Sequence, residues 1–335
     1  MPLTYRQAGV DIDLQETSIQ ALVSRLTFKR RGTGAPLPLK GFFAGLISYG
    51  PWALALSTDN VGTKVLVADA LGRWDTVGLD CVAVNVNDVV CSGAEPLAFV
   101  DYIAGPKYDP EVARAIGGGL NIGAREANVT VVGGEFACVP EITRTYDLSG
   151  TCLGVVAKEK VVTGGSIRPG DAIVGMPSSG LHSNGYTLAR KVLAEAGVGY
   201  GERPKGLPVS VGEALLEPTR IYVQQALRLV RRFGAKGLAH ISGGGLWNLP
   251  RLKESVEFRI EEPLIPPPII ELLSNLGDLD EAEMYQTFNM GMGMAAVVPS
   301  KVAEAAAKAV GGRVVGTVAR GRGVSVPSLG LHFGK

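Results

Sequence analysis

Stretches with a strand pattern alternate with stretches of helical pattern along the whole chain. That alternation places the protein in the α/β (α+β) class, with helices packed on sheets. ALALSTD (53–59), LAFVDYIA (97–104), VTVVGGE (129–135, running into a double-glycine turn) and YDLSGTCLGVVA (146–157) read as strands. Asp75 is placed to cap a helix with apolar Leu79, Val82, Val86, Val89 and Val90 on one face and Cys81, Asn85, Asp88 and Ser92 on the other. Asp109-Pro110-Glu111 opens a second helix, reaching Asn128. Its Gly117-Gly118-Gly119 run costs roughly 1 kcal/mol per glycine against alanine, and close packing on a sheet would offset that.

TGGSIRPGD (163–171) is dense in turn residues and precedes a new strand, DAIVGMP. The boundary is set near residue 165, giving an N-terminal domain of 1–165 and a C-terminal domain of 166–335. The second half carries helices at 183–196 and 218–233, stopped by Gly197 and Gly234. Strands follow at 286–298 and 313–319, with a helix at 301–310 between them. GTGAPLPLKG (32–41) reads as a mobile loop and IPPP (265–268) as an extended connector.

Composition narrows the function. With 335 residues, the length prior of roughly 150 per domain gives two domains. The 33 Lys+Arg balance 32 Asp+Glu, so there is no basic footprint for nucleic acid or a membrane surface. No apolar run is long enough to cross a bilayer, and the N-terminus lacks a signal-peptide pattern, so a cytoplasmic protein is the expectation. The 45 glycines follow no fixed period and imply many tight turns or ligand-contacting loops. Cys81, Cys91, Cys138 and Cys152 have neither C-x-x-C spacing nor a nearby histidine pair, and read as buried, inert thiols. Walker A, G-x-G-x-x-G, G-x-S-x-G and H-E-x-x-H patterns do not occur.

Five constellations carry candidate chemistry. Asp59-Asn60-Val61-Gly62-Thr63-Lys64 puts an acid, a glycine and a lysine at a strand end, which reads as a solvated strand–turn with a stray charge pair or, alternatively, as a site for Mg²⁺ with phosphate. Asp88, Asp101 and Glu135 are acids on apolar elements; with Asp59 they are either material for a magnesium–triphosphate site or structural partners. Ser178-Ser179-Gly180-Leu181-His182-Ser183-Asn184-Gly185 precedes a helix whose free N–H groups favour anions, or else is an ordinary cap with a loop histidine. His240-Ile241-Ser242-Gly243-Gly244-Gly245 is a second candidate anion nest, opening a short helix. Thr287-Phe288-Asn289-Met290-Gly291-Met292-Gly293-Met294 reads mainly as core strand, with Asn289 the exception.

In order and combination these segments resemble the phosphoribosylformylglycinamidine cyclo-ligase (aminoimidazole ribonucleotide synthetase) family. The resemblance runs through Tyr5 with AGVDID (8–13), DNVGTK (59–64), VND (86–88) with GAEPL (93–97), VVGGE (131–135) and YDLSG (146–150). It continues through SSGLHSNGY (178–186), LLEPTRIYV (215–223), LAHISGGGL (238–246) and TFNMGMGM (287–294). The chain departs from the family at GFFAGL (41–46), at FACVPE (136–141), where Phe136 and Cys138 replace polar residues, and at Trp247, which alone separates GGGL from Asn248.

The resemblance implies a two-domain fold: an N-terminal mixed sheet that pairs into a barrel in a homodimer, and a C-terminal α/β domain closing over an ATP site. It implies ATP-dependent, Mg²⁺-dependent closure of the imidazole ring of formylglycinamidine ribonucleotide through an iminophosphate, in purine biosynthesis. It also implies residue roles: Asp59 and Asp88 on magnesium, with Asp59, Lys64 and His182 catalytic. Gly62, Thr63, Lys64, Asn87, Asp101, Gly133, Gly134 and Glu135 would bind the nucleotide, Lys64 holding triphosphate oxygens. His182, Ser183 and Asn184 would face the reacting centre, while Ser242, Gly243, Gly244, Gly245 and Asn289 would hold substrate. The alternatives are a fold-sharing small-molecule kinase and a non-catalytic nucleotide-binding paralogue.

Overall fold

The computed structural model describes residues 5–39 and 42–334, so Lys40 and Gly41 of the glycine-proline loop lie outside the described residues. The first half runs α1 (Ile12–Arg25), β1 (Gly45–Tyr49), β2 (Trp52–Asn60), α2 (Val65–Leu71), α3 (Val77–Cys91), β3 (Glu95–Gly105), α4 (Pro110–Ala127), β4 (Thr130–Cys138) and β5 (Asp147–Ala157). The second half begins with β6 (Ala172–Pro177), α5 (Tyr186–Glu195), α6 (Val211–Leu216), α7 (Val223–Phe233), β7 (Gly237–His240) and β8 (Glu257–Ile260). It ends with α8 (Pro268–Gly277), α9 (Glu281–Thr287), β9 (Met292–Val298), α10 (Ala303–Val310), β10 (Arg313–Ala319), β11 (Gly323–Val326) and β12 (Leu331–Phe333).

Two mixed sheets result. The first has five strands in the order β1-β2-β5-β3-β4, with only β3 and β4 parallel. The second has seven in the order β12-β11-β8-β10-β6-β9-β7, with only β8 and β11 parallel. Helix α3 lies between them, touching β2 and β5 of the first sheet and β7 of the second. It is therefore buried all round. Cys81, Asn85 and Ser92, expected opposite the apolar stripe, are as buried as Val82 and Val86, and only Asp88 of that face keeps partial exposure.

Several boundaries differ from the sequence expectation. Thr76 rather than Asp75 precedes the first turn of α3. Asp109 does cap α4, accepting from the backbone N–H groups of Glu111 and Val112. Of its glycine run, Gly119 serves helix–helix contact rather than sheet packing. A Cβ on Gly119 would sit 2.7 Å from the Asp75 carbonyl oxygen, and one on Gly78 would collide with the Ile116 carbonyl; Gly117 and Gly118 meet nothing within 4 Å. Gly133 and Gly134 do not turn either. They stay inside β4, opposite Val100 and Asp101 of β3, next to a register shift that absorbs one extra residue.

Helix α7 starts at Val223 rather than near Pro218, because Asn87 holds the backbone just before it. The Asn87 amide donates to the Arg220 carbonyl at 2.9 Å, and its oxygen accepts the Tyr222 N–H at 2.9 Å. Strand β9 starts at Met292, after a turn with positive φ at Met290 (46°) and Gly291 (85°). Helix α5 starts at Tyr186, after Gly185 at φ 76°. Cys81, Cys91 and Cys152 are buried thiols, and burial pushes Cys152 up to about 12. Cys138, expected to be buried, is exposed, since β4 is the edge strand of its sheet.

Candidate functional site

The register of the first sheet places two acids on either side of one glycine. Asp59 at the end of β2 and Asp101 in β3 both pair with Gly150 of β5. Side chains alternate across a sheet, so both acids share the face of Phe99, which packs over Gly150 toward α3. Cys81 of α3 feels the charge of Asp59, Asp80 and Asp101 there, and with burial they push its thiol up. Burial raises the Asp101 carboxyl, and its oxygens lie where a Cβ on Gly134 would stand, so the glycine makes room for the acid. Glu135 is the next residue of β4 and turns to the opposite, exposed face beside Tyr102. The acids therefore do not form a single cluster.

After Asp59 the chain turns at Gly62, at φ 70°, into a short 3₁₀ turn of residues 62–64. This segment forms one wall of a cavity of about 210 Å³, contributing Asp59, Asn60, Gly62 and Thr63. The opposite wall is Ser183, Asn184, Gly185, Tyr186 and Thr187, the entry to α5; Tyr5 closes one side. The walls meet where Thr63 and Thr187 hydroxyls lie 3.2 Å apart. A helix N-terminus facing a cavity offers backbone N–H groups to an anion. Asp59 keeps solvent contact at the cavity, yet the enclosing walls strip enough water from it to raise its carboxyl, as does the nearby Asp88 charge; the Asn60 N–H and His240 pull it back.

Three of the residues expected on ligands make contacts within the protein. Lys64 does not reach the cavity. It is fully buried, its Nζ 2.8 Å from an Asp80 oxygen, and it donates to the carbonyls of His182 (3.1 Å) and Glu217 (2.7 Å). Asn87, expected on the nucleotide, is bonded to the 220–222 backbone. Asn289, expected on substrate, donates to the Gly180 carbonyl at 2.8 Å and accepts from Ser178 Oγ and the Gly291 N–H, each at 3.0 Å. All three are buried polar groups satisfied by neighbouring backbone and side chains, as burial demands.

His182 also differs from expectation, since it lies behind the cavity wall rather than in it. Its backbone is left-handed, at φ 64°. The Ser179 N–H donates to its Nε2 at 3.3 Å, so the neutral ring carries its proton on Nδ1, which is buried without a partner among the described residues. Burial, and then the charges of His240, Lys64 and Arg220, hold its pKa well below the usual histidine range. Tyr222 packs near the ring, and Gly293 lies where any Cβ would strike both.

His240, at the end of β7, pairs its Nδ1 with Asp88 Oδ1 at 2.8 Å. The glycine loop after it turns through Gly244 and Gly245, at φ 91° and 53°, into the expected short helix at Gly245–Asn248. Asn248 braces the loop by donating to the Gly243 and Gly245 carbonyls. Gly243 lies beside the Asn184 side chain, so the two glycine-rich loops converge. Among the described residues no three His, Cys, Asp or Glu side chains converge as a ready metal cluster. Asp59 and Asp88 are close enough to feel each other's charge. Two carboxylates fit Mg²⁺, which takes most of its ligands from phosphate and water.

The residues 43–156 match the N-terminal domain of AIR synthase related proteins, and 168–327 match the C-terminal domain. The chain belongs to the AIR synthase related family. It is 48% identical over 317 residues to a protein of Methanococcoides burtonii named phosphoribosylformylglycinamidine cyclo-ligase, covering 94% of this chain and 95% of that one. A protein of the same name from Methanosarcina mazei is 47% identical, covering 98% of each chain. Among solved structures, tt0281 from Thermus thermophilus superposes with a TM-score of 0.64 at 20% identity, covering 97% of this chain and 100% of that one. A second, AaThiL complexed with AMPPCP and TMP, gives a TM-score of 0.64 at 17% identity, covering 96% and 94%. These two likenesses establish the shared fold.

Sequence reasoning missed Asp80, the partner of Lys64, which is wholly buried. One acid inside an apolar helix, one helical turn from Val84, was a signal that a buried cation must lie opposite. It also left Glu217 and Thr219 without a role. Phe136, where the family has a polar residue, packs edge-on against Tyr108 and Tyr146 at 5.4 and 6.0 Å between ring centres.

Proposed function

We propose that this chain is a phosphoribosylformylglycinamidine cyclo-ligase of purine biosynthesis, acting in the cytoplasm. It transfers the γ-phosphoryl group of ATP to the formyl-amide oxygen of formylglycinamidine ribonucleotide. An amidine nitrogen then attacks the activated carbon, the C–O bond breaks, and phosphate leaves with the oxygen as the imidazole ring closes. Near-full-length identity to enzymes of that name supports the reaction. The observation that carries the site is the cavity between residues 59–63 and 183–187.

Its parts suit phosphoryl transfer, where the protein's task is positioning and charge neutralisation. The N-terminus of α5 presents Gly185, Tyr186 and Thr187 to a transferring phosphoryl group. Ser183 and Asn184 stand beside it to orient the acceptor amide. Asp59 and Asp88 would hold Mg²⁺, which neutralises phosphate charge. The Ser242–Gly245 loop, converging on Asn184, would take the ribose phosphate of the substrate. Asp101 stands behind Asp59 as support.

The protein acts as a homodimer in this reading. Leu56, Val100 and Tyr102 are 39–43% exposed on the sheet face turned away from α3. Monomers rarely leave such an apolar surface uncovered.

The test is a coupled assay with formylglycinamidine ribonucleotide, ATP and Mg²⁺, following ADP and the diazotisable aminoimidazole together. Equal amounts of both are expected. ADP without aminoimidazole would point to a kinase of the same fold, and nucleotide binding without either product to a non-catalytic paralogue.

A further inference from the structure

Among the described residues, the most deeply buried charges take no part in the steps above. Lys64 and Asp80 both have no solvent exposure. Lys64 directly follows the Asp59–Thr63 wall of the cavity, and its ammonium donates to the carbonyl of His182, the residue just before the Ser183–Asn184 wall. It also donates to the Glu217 carbonyl at 2.7 Å. Asp80 completes the arrangement from α3. It accepts the Thr219 N–H at 2.7 Å, the Thr219 hydroxyl at 2.6 Å and the Ser183 hydroxyl at 3.4 Å. Ser183 and Thr219 hydroxyls lie a further 3.0 Å apart.

A buried ion pair is seldom better for stability than apolar residues of the same shape. What this one does that apolar residues cannot is fix direction. Its hydrogen bonds tie together separate segments, and one of them holds the carbonyl of a residue whose left-handed backbone is costly for a side chain with a Cβ. We propose that Lys64 and Asp80 are positioning residues. They buttress the cavity from behind, fixing residues 182–184 against residues 59–63, so that Ser183 and Asn184 meet the reacting atoms at the right separation. The inference rests on the cavity being the reaction site, as read above. It replaces the triphosphate contact expected of Lys64.

The test uses the full chain, with the double variant Lys64→Met/Asp80→Asn, which leaves neither charge buried alone. The chain has 3 histidines, so ¹³C-histidine labelling gives three ring resonances. In the double variant the His182 resonance should shift, while that of His332, on β12, stays in place. At saturating ATP and substrate, kcat should fall by about 10²-fold, the scale of an ångström-level misplacement, with the Kd for AMPPCP nearly unchanged. If the double variant does not fold, Thr219→Val tests the same idea, since it removes the hydroxyl bonds to Asp80 and Ser183 and keeps the backbone one. It should shift the same resonance and lower kcat in the same sense.

An unmoved His182 resonance with kcat near wild type would reduce the pair to a structural role and overturn the proposal. A large rise in the AMPPCP Kd with the resonance unmoved would also overturn it, by restoring Lys64 to the nucleotide. The resonance is read without turnover. A wild-type chain inactive on formylglycinamidine ribonucleotide would therefore defeat the functional reading while leaving this one decided separately.

Discussion

Asp88 Oδ1 lies 2.8 Å from Nδ1 of His240, while the opposite ring nitrogen, Nε2, is buried without a partner among the described residues. Asp88 comes from α3 in the first half of the chain and His240 from β7 in the second, so the contact exists only when both sheets pack on that helix. Asp88 is one of the two carboxylates read above as holding magnesium, so the ring acts as a positioning residue that fixes the direction of that carboxylate. His240→Gln should therefore lower kcat and the apparent affinity for Mg²⁺ by about 10–100-fold, the usual effect of losing a residue that orients a metal ligand. Kinetics on the purified variant as a function of Mg²⁺, with its melting temperature as a control, check this. Unchanged kcat at every Mg²⁺ concentration would mean that Asp88 keeps its direction without His240.

The buried His182 gives a pH prediction with a defined sign. Its folded-state pKa is depressed, chiefly by burial, so below the ordinary value of about 6.5 the unfolded chain binds a proton that the folded chain refuses. Stability is lost as pH falls below that value, at up to about 1.4 kcal/mol per pH unit from this residue. Asp59, whose carboxyl is raised, works in the opposite sense at lower pH, and it cancels when two variants sharing it are compared. Urea unfolding of wild type and His182→Gln at pH 7 and pH 5.5 should show the wild type losing more stability. Equal losses would mean that the ring is protonated in the folded state.

The glycines of α4 separate by position. Gly119→Ala puts a methyl group 2.7 Å from the Asp75 carbonyl and 2.9 Å from the Leu79 nitrogen, both backbone atoms of the α3 region that cannot swing away. Overpacking of that kind costs about 1–3 kcal/mol. Gly118→Ala meets nothing within 4 Å and gains up to about 1 kcal/mol of helix propensity. The melting temperature should fall for the first and rise for the second.

The fold is legible in the sequence where the local pattern and the tertiary environment agree. Strands β2, β3 and β5 lie close to where alternation puts them, and Asp109 caps α4 as its position implies. Sequence and structure part where distant contacts override local rules. Gly133-Gly134 reads as a turn from chemistry alone, yet β3 pairs with it and the Asp101 carboxyl needs the space. Pro218 reads as a helix start, but Asn87 of α3 ties up the backbone at 220–222 and delays the helix. The site is legible as a set of segments and not as a set of side-chain directions. DNVGTK and HSNG do meet at one cavity, but sequence spacing could not say that Lys64 and His182 turn behind its walls. Those directions are decided by Asp80 and Tyr222, residues outside either motif.

The exposed face of the five-stranded sheet gives the last prediction. Tyr102 is 43% and Val100 39% exposed, both on the face of β3 turned away from α3. If this face pairs with its copy, each substitution enters a two-fold interface twice, so a charge placed there repels itself across the axis. Tyr102→Asp combined with Val100→Asp should convert the dimer into a monomer in sedimentation velocity at micromolar concentration. Both positions lie on the surface of the single chain, so its own core should stay intact and circular dichroism should be unchanged. AMPPCP binding by the variant offers a second reading. Retained binding by the monomer would mean that the dimer serves stability or closure. A double variant that still sediments as a dimer would move the interface to another face.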